Sequence, residues 1–110
     1  MNNNIEQLNR IEIIGTVGCI RLCNVGDTRI ANFSMATNYA YKDKEGSPVI
    51  ETTWHSVRAS EGDLIRNLDR IERGSTVHVI GRLQMQRYVS AEGAERVSVT
   101  VLAHRLDILQ

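Results

Sequence analysis

Trp54 is the single tryptophan of the chain, and it stands in the run IETTWHSVRAS at residues 50–60. Thr53 and His55 flank it, and Thr52 and Ser56 sit two positions away. Tyr88 ends a run that carries Arg82, Gln84 and Gln86, and Tyr41 is followed by Lys42 and Lys44. Of the five aromatic residues, Tyr39, Tyr41, Trp54 and Tyr88 keep polar or basic company, and Phe33 alone lies in an apolar alternation. Aromatic rings in such company suit unpaired nucleic acid. A base stacked on an aromatic side chain gains ~1–3 kcal/mol without any demand on its identity. Neighbouring Arg and Lys side chains neutralise the phosphates that run alongside. The residue types fit equally well with a half-exposed tryptophan on a sheet or one that anchors a subunit contact.

Other chemistries find less support. The chain has 13 basic and 13 acidic residues, so it lacks the excess positive charge of many nucleic-acid binders. The basic residues are mostly arginine, which suits phosphate forks and stacking on flat rings. Cys19 and Cys23 are four apart, which in a strand is ~13 Å, beyond the ~7 Å between Cα atoms that a disulfide allows. With these thiols and three scattered histidines, no metal site and no cofactor are expected. His55, His78 and His104 lack a nucleophile or paired carboxylate in a recognisable motif, so no enzyme is expected. MNNNIEQLNR contains no apolar signal segment, and no run approaches the ~18 apolar residues of a membrane helix. The expectation is a cytoplasmic protein with no membrane partner.

The elements that would position these side chains are mostly strands. Arg10 to Cys23 is rich in Ile and Val, with Gly15 and Gly18 as expected bulges or corners. NVGDT is a turn, Arg29 to Tyr41 alternates, KDKEGSP is a charged loop, and Ile50 to Ala59 is a third strand. Thr52, Trp54, Ser56 and Arg58 share one face of that strand, and His55, Val57 and Ala59 the other. Leu64, Ile65, Leu68 and Ile71 are spaced as in an amphipathic helix of ~11 residues, with Ser60 as its cap and Gly74 beyond its end. Ser75 to Tyr88 and Arg96 to Leu109 complete the strands, joined by SAEGAE. In the fourth, Val77, Val79, Leu83 and Met85 share the face expected inside. The reading is an all-β domain with one short helix between strands 3 and 4. That order is the order of the OB-fold, a five-stranded Greek-key barrel. The domain is expected over residues 9–110, after a flexible segment at 1–8.

The stretches NRIEIIGTVG, ANFSMATN, YKDKEG, TTWHSV, LDRIERGSTVHVIGRLQ and RYVSAEG follow one another without large gaps. In this order they resemble the bacterial single-stranded DNA-binding protein family, from about Asn9 to Leu109. The resemblance implies an OB-fold, a homotetramer, and sequence-tolerant binding of single-stranded DNA in replication, repair and recombination. It implies that Trp54 is a stacking platform, and that Tyr41 and Tyr88 stack where the family often has tryptophan. It places Arg10, Lys42, Arg82 and Arg87 on or beside the DNA track, with Arg58 on the Trp54 face. It places His55 near subunit contacts, and Ile11 and Ile13 are expected at a dimer interface of the first strand. Ser56 and Ser60 depart from the basic residue and the aromatic that the family commonly carries there. The sequence ends at HRLDILQ, without the acidic tail through which the family recruits replication and repair enzymes, so that recruitment is not expected. Two rival readings are a dimeric OB protein of the replication-restart type and an OB module kept for protein contacts.

Overall fold

The computed structural model describes residues 6–110; the first five residues of the expected N-terminal segment 1–8 lie outside the described residues. Five strands follow the expected order: β1 (Ile11–Val25), β2 (Thr28–Lys42), β3 (Pro48–Ser60), β4 (Thr76–Val89) and β5 (Glu95–Ile108). They close into a barrel in the spatial order β1-β2-β3-β5-β4. All pairings are antiparallel except β3 with β5, where Ser56, Val57 and Arg58 face Thr100, Val101 and Leu102.

Alternation sends one face of each strand into the barrel. Ile13, Val17, Phe33, Met35, Val57, Ala59, Val77, Val79, Val101 and Leu106 form its core, together with Ile65, Leu68 and Ile71 from the connection between β3 and β4. The two glycines of β1 serve different ends. At Gly15 a Cβ would run into the carbonyl of Ala36, so the close approach of β1 to β2 requires its absence. Gly18 lies in the β-bulge that interrupts the β1–β2 register between Val17 and Ile20.

The expected helix does not form. The connection is irregular, with a single 3-10 turn at Leu68–Arg70. Two observations explain this. The carbonyl of Leu64 accepts the Leu106 N–H at 3.2 Å and is thereby drawn to β5 rather than to its own turn. Asn67 has φ 61°, a left-handed conformation that no right-handed helix can run through. Ile65, Leu68 and Ile71 still plug the barrel, since a spacing of three satisfies a tight turn as well as a helix.

β2 with β3 and β4 with β5 run on past the barrel as two-stranded ribbons. The β2–β3 ladder extends to Lys42 opposite Pro48, and the β4–β5 ladder to Val89 opposite Glu95. Beyond Gly81 both faces of β4 are open, so Leu83 and Met85, expected inside, are exposed. The physical reason is simple: the barrel ends there, and none of the described residues seals the face they share.

Candidate nucleic-acid interface

Trp54 points outward from β3 and is 62% exposed. It pairs with Ala36 of β2, so the two side chains share a face. A Cβ on Gly18 would lie 2.7 Å from Cζ3 of the indole and 2.9 Å from the Ser34 hydroxyl. The bare glycine therefore gives the indole a seat on the β1 backbone. Ser34 fixes that seat, since its hydroxyl accepts the Cys19 N–H at 3.0 Å. A ring held against backbone on one side has a pre-set orientation for whatever stacks on its open side.

The register builds a row of arginines around this platform. Arg58 of β3 and Arg82 of β4 both face Leu102 of β5, one from each side. Two strand spacings separate them, ~10 Å. On the other side of Arg58, Asn32 of β2 intervenes before Arg21 of β1. Arg10 precedes Ile11, which faces Gly81, so the same register sets Arg10 beside Arg82. Asn9 holds that end in place: its side-chain amide donates to the Leu83 carbonyl at 2.8 Å and its Oδ1 accepts the Leu83 N–H at 2.9 Å. Neither salt bridge found among the described residues uses Arg10, Arg21, Arg58 or Arg82. One step along the strands, Ser56, Thr100 and Gln84 form a polar row on the same face. A shallow groove of about 370 Å³ crosses this surface between Cys19, Arg21, Asn32 and Thr100.

The expected site residues divide between two faces. Trp54, Arg58, Arg82 and Tyr88 share the outward face, with Tyr88 opposite Arg96 near the tip of the β4–β5 ribbon. Lys42 ends the β2–β3 ribbon on the Trp54 face. Tyr41 and Arg87 fall on the reverse faces of their ribbons, where Tyr41 faces Val49 and Arg87 faces Val97. The Tyr41 ring lies 6.1 Å from that of Tyr39. The barrel thus does not by itself bring Tyr41 together with Trp54.

Three residues expected at subunit contacts are placed as follows. Ile13 is 5% exposed and belongs to the core, and Ile11 packs against it. This corrects the expectation for that face of β1: it is the barrel side, and the side open to a neighbour carries Glu12 and Ile14. His55 is half-buried, with its Nε2 2.9 Å from the Thr37 hydroxyl.

Arg21 was not legible in the sequence as part of the site. The bulge after Val17 reverses the alternation, so the outward residues change from even to odd numbers along β1. Gly18 offered a signal, a glycine within a strand pattern, but its contact with Trp54 depends on the pairing of three strands. Among the described residues no group of histidines, cysteines and carboxylates could hold a metal ion. No helix of the described residues is long and apolar enough to cross a membrane. The face can therefore offer flat rings, guanidinium groups and hydroxyls to a ligand.

A family model, the single-strand binding protein family, matches residues 8–109. This chain belongs to that family. Curated relatives include a single-stranded DNA-binding protein of Neisseria meningitidis, 29% identical over 93% of this chain and 60% of its own length. The mitochondrial single-stranded DNA-binding protein of Danio rerio is 29% identical over 94% of this chain and 77% of its own. The chain thus spans about three-fifths of the Neisseria relative. Among solved structures, a Plasmodium falciparum SSB in complex with ssDNA superposes with a TM-score of 0.79 at 27% identity, covering 97% of this chain and 99% of that one. The wild-type single-stranded DNA binding protein of Thermus aquaticus gives 0.72 at 25% identity, over 94% of this chain and 50% of that one.

Proposed function

We propose that this domain binds single-stranded DNA without regard to sequence, by stacking bases on Trp54 and neutralising phosphates along the arginine row. The observation that carries this is the shared outward face of Trp54, Arg58 and Arg82, set on a closed barrel. Family membership and the likeness to a protein solved with ssDNA support it. Binding needs neither a cofactor nor catalysis. The barrel is read as the Greek-key OB-fold, and the cellular setting as cytoplasmic replication, repair or recombination. Tyr88, Arg10 and Lys42 extend the path on the same face. Tyr41 and Arg87 join it where the strand passes around a ribbon edge.

The test is affinity for oligo-dT across a salt series. For a single strand, log K falls with log salt at about −0.7 per neutralised phosphate. Arg82→Ala or Arg58→Ala should weaken binding and flatten the slope by about one such contact. Unchanged affinity and slope in both variants would remove the row from the site.

Assembly into a homotetramer belongs to the same reading. Ile14, exposed on the outward face of β1, is one apolar residue available to such a contact. Light scattering at micromolar concentration should give four times the 12.4 kDa chain, and a monomer would contradict the assembly.

A further inference from the structure

A second cavity among the described residues lies away from the Trp54 face. It holds about 560 Å³ between the β3–β4 connection and the end of β5, and it shares no lining residue with the groove beside Trp54. Leu64, Leu106 and Ile108 line it beside Asp63, Asn67 and Asp107, and of the three apolar residues Leu64 is the one that is well exposed. Its rim carries Arg66, Arg70 and Arg105.

The walls are fixed in place by the fold. Ile65, Leu68 and Ile71 are buried in the barrel, so the residues between them have to face out. The Gly62 N–H bonds the Ile65 carbonyl at 2.9 Å and the Leu106 N–H bonds the Leu64 carbonyl at 3.2 Å, which ties the connection to itself and to β5. The left-handed Asn67 turns the chain so that Arg66 and Arg70 both border the opening.

The charges define the ligand. Arg105 is held by Asp107 at 3.1 Å. Arg66 and Arg70 make no ion pair among the described residues. The cavity therefore presents two free guanidinium groups beside the exposed Leu64. No aromatic residue lines it, so it lacks the platform on which a base would stack. Asp63 and Asp107 interrupt its rim with negative charge, which disfavours a continuous phosphate backbone. A peptide meets these conditions better: its carboxylates can take the arginine forks, its N–H groups can donate to the aspartates, and an apolar side chain can pack on Leu64.

We infer that this cavity docks an acidic peptide segment of a partner protein, one that alternates carboxylates with apolar side chains. It is a second binding site, distinct from the nucleic-acid face, and does not depend on that face binding DNA. The two sites can be occupied together because they share no residue.

The test uses the full chain and a fluorescein-labelled decapeptide that alternates aspartate with leucine. Anisotropy should rise to saturation at low salt (about 50 mM), where surface charges act at long range. The same peptide with lysine for aspartate should not bind. The double variant Arg66→Ala/Arg70→Ala should weaken the acidic peptide roughly tenfold, as expected for two exposed ion pairs. Both side chains are exposed, and a thermal melt confirms that the fold survives. Affinity of the variant for oligo-dT should match the parent, and unlabelled oligo-dT should not displace the peptide. No saturable binding of the acidic peptide, or binding that the double variant leaves unchanged, overturns the proposal. Displacement by oligo-dT together with an equal loss of oligo-dT affinity in the variant also overturns it, and assigns the cavity to the nucleic-acid path instead.

Discussion

Strands β2 and β3 differ between their two ends. At the barrel end, Phe33, Met35, Val57 and Ala59 are sealed from water. Past Thr37 the alternation continues, yet Tyr39 and Tyr41 meet solvent. β4 and β5 repeat the contrast, with Val77, Val79, Val101 and Leu106 sealed and Leu83, Met85, Val97 and Val99 open. Period-two patterning states which side chains share a face, but not whether anything covers that face. Trp54 and Arg58 sit between these regimes. The inner face of β3 there is anchored in the core through Val57, while its outer face is free. A rigid base beneath an open surface suits a binding platform, whereas the ribbons suit adaptable contacts.

The largest effect should separate the two ends by stability. Met35→Ala should destabilise the domain by ~2–5 kcal/mol, as a buried truncation leaves a cavity. Met85→Ala should stay within ~0.5 kcal/mol, because its side chain already faces water. Urea denaturation of both variants checks this, and equal losses would erase the distinction between barrel and ribbon. A smaller effect should appear in binding and not in folding. Trp54→Ala should cost ~1–3 kcal/mol in affinity for oligo-dT while the melting temperature barely moves. Gly18→Ala should cost less and in the same direction, because the added methyl lifts the indole from its seat at 2.7 Å. If Gly18→Ala binds like the parent, the seat does not orient the ring.

Much of this was legible in the sequence, for local reasons. Five strands and their order follow from alternation broken by turn residues, and Val57 and Ala59 on one face of β3 imply Trp54 on the other. The connection after β3 was not legible, because Leu64, Ile65, Leu68 and Ile71 carry a helical spacing that a hydrogen bond to β5 overrides. Leu83 and Met85 look like core residues, since no local signal marks where a barrel stops. Ile11 and Ile13 do share a face, but only the closure of β1 on β4 shows that this face is the interior. Arg21 is hidden by a bulge that reverses the strand's alternation.

The most direct measurement is the emission of Trp54, the single tryptophan, during titration with poly-dT and with a duplex of equal length. A base stacked on the exposed indole should quench its emission to saturation with poly-dT. The duplex, whose bases are already stacked on one another, should leave it nearly unchanged. Emission that does not respond to poly-dT at low salt, while anisotropy shows the strand bound, would contradict the placement of Trp54 at the centre of the site.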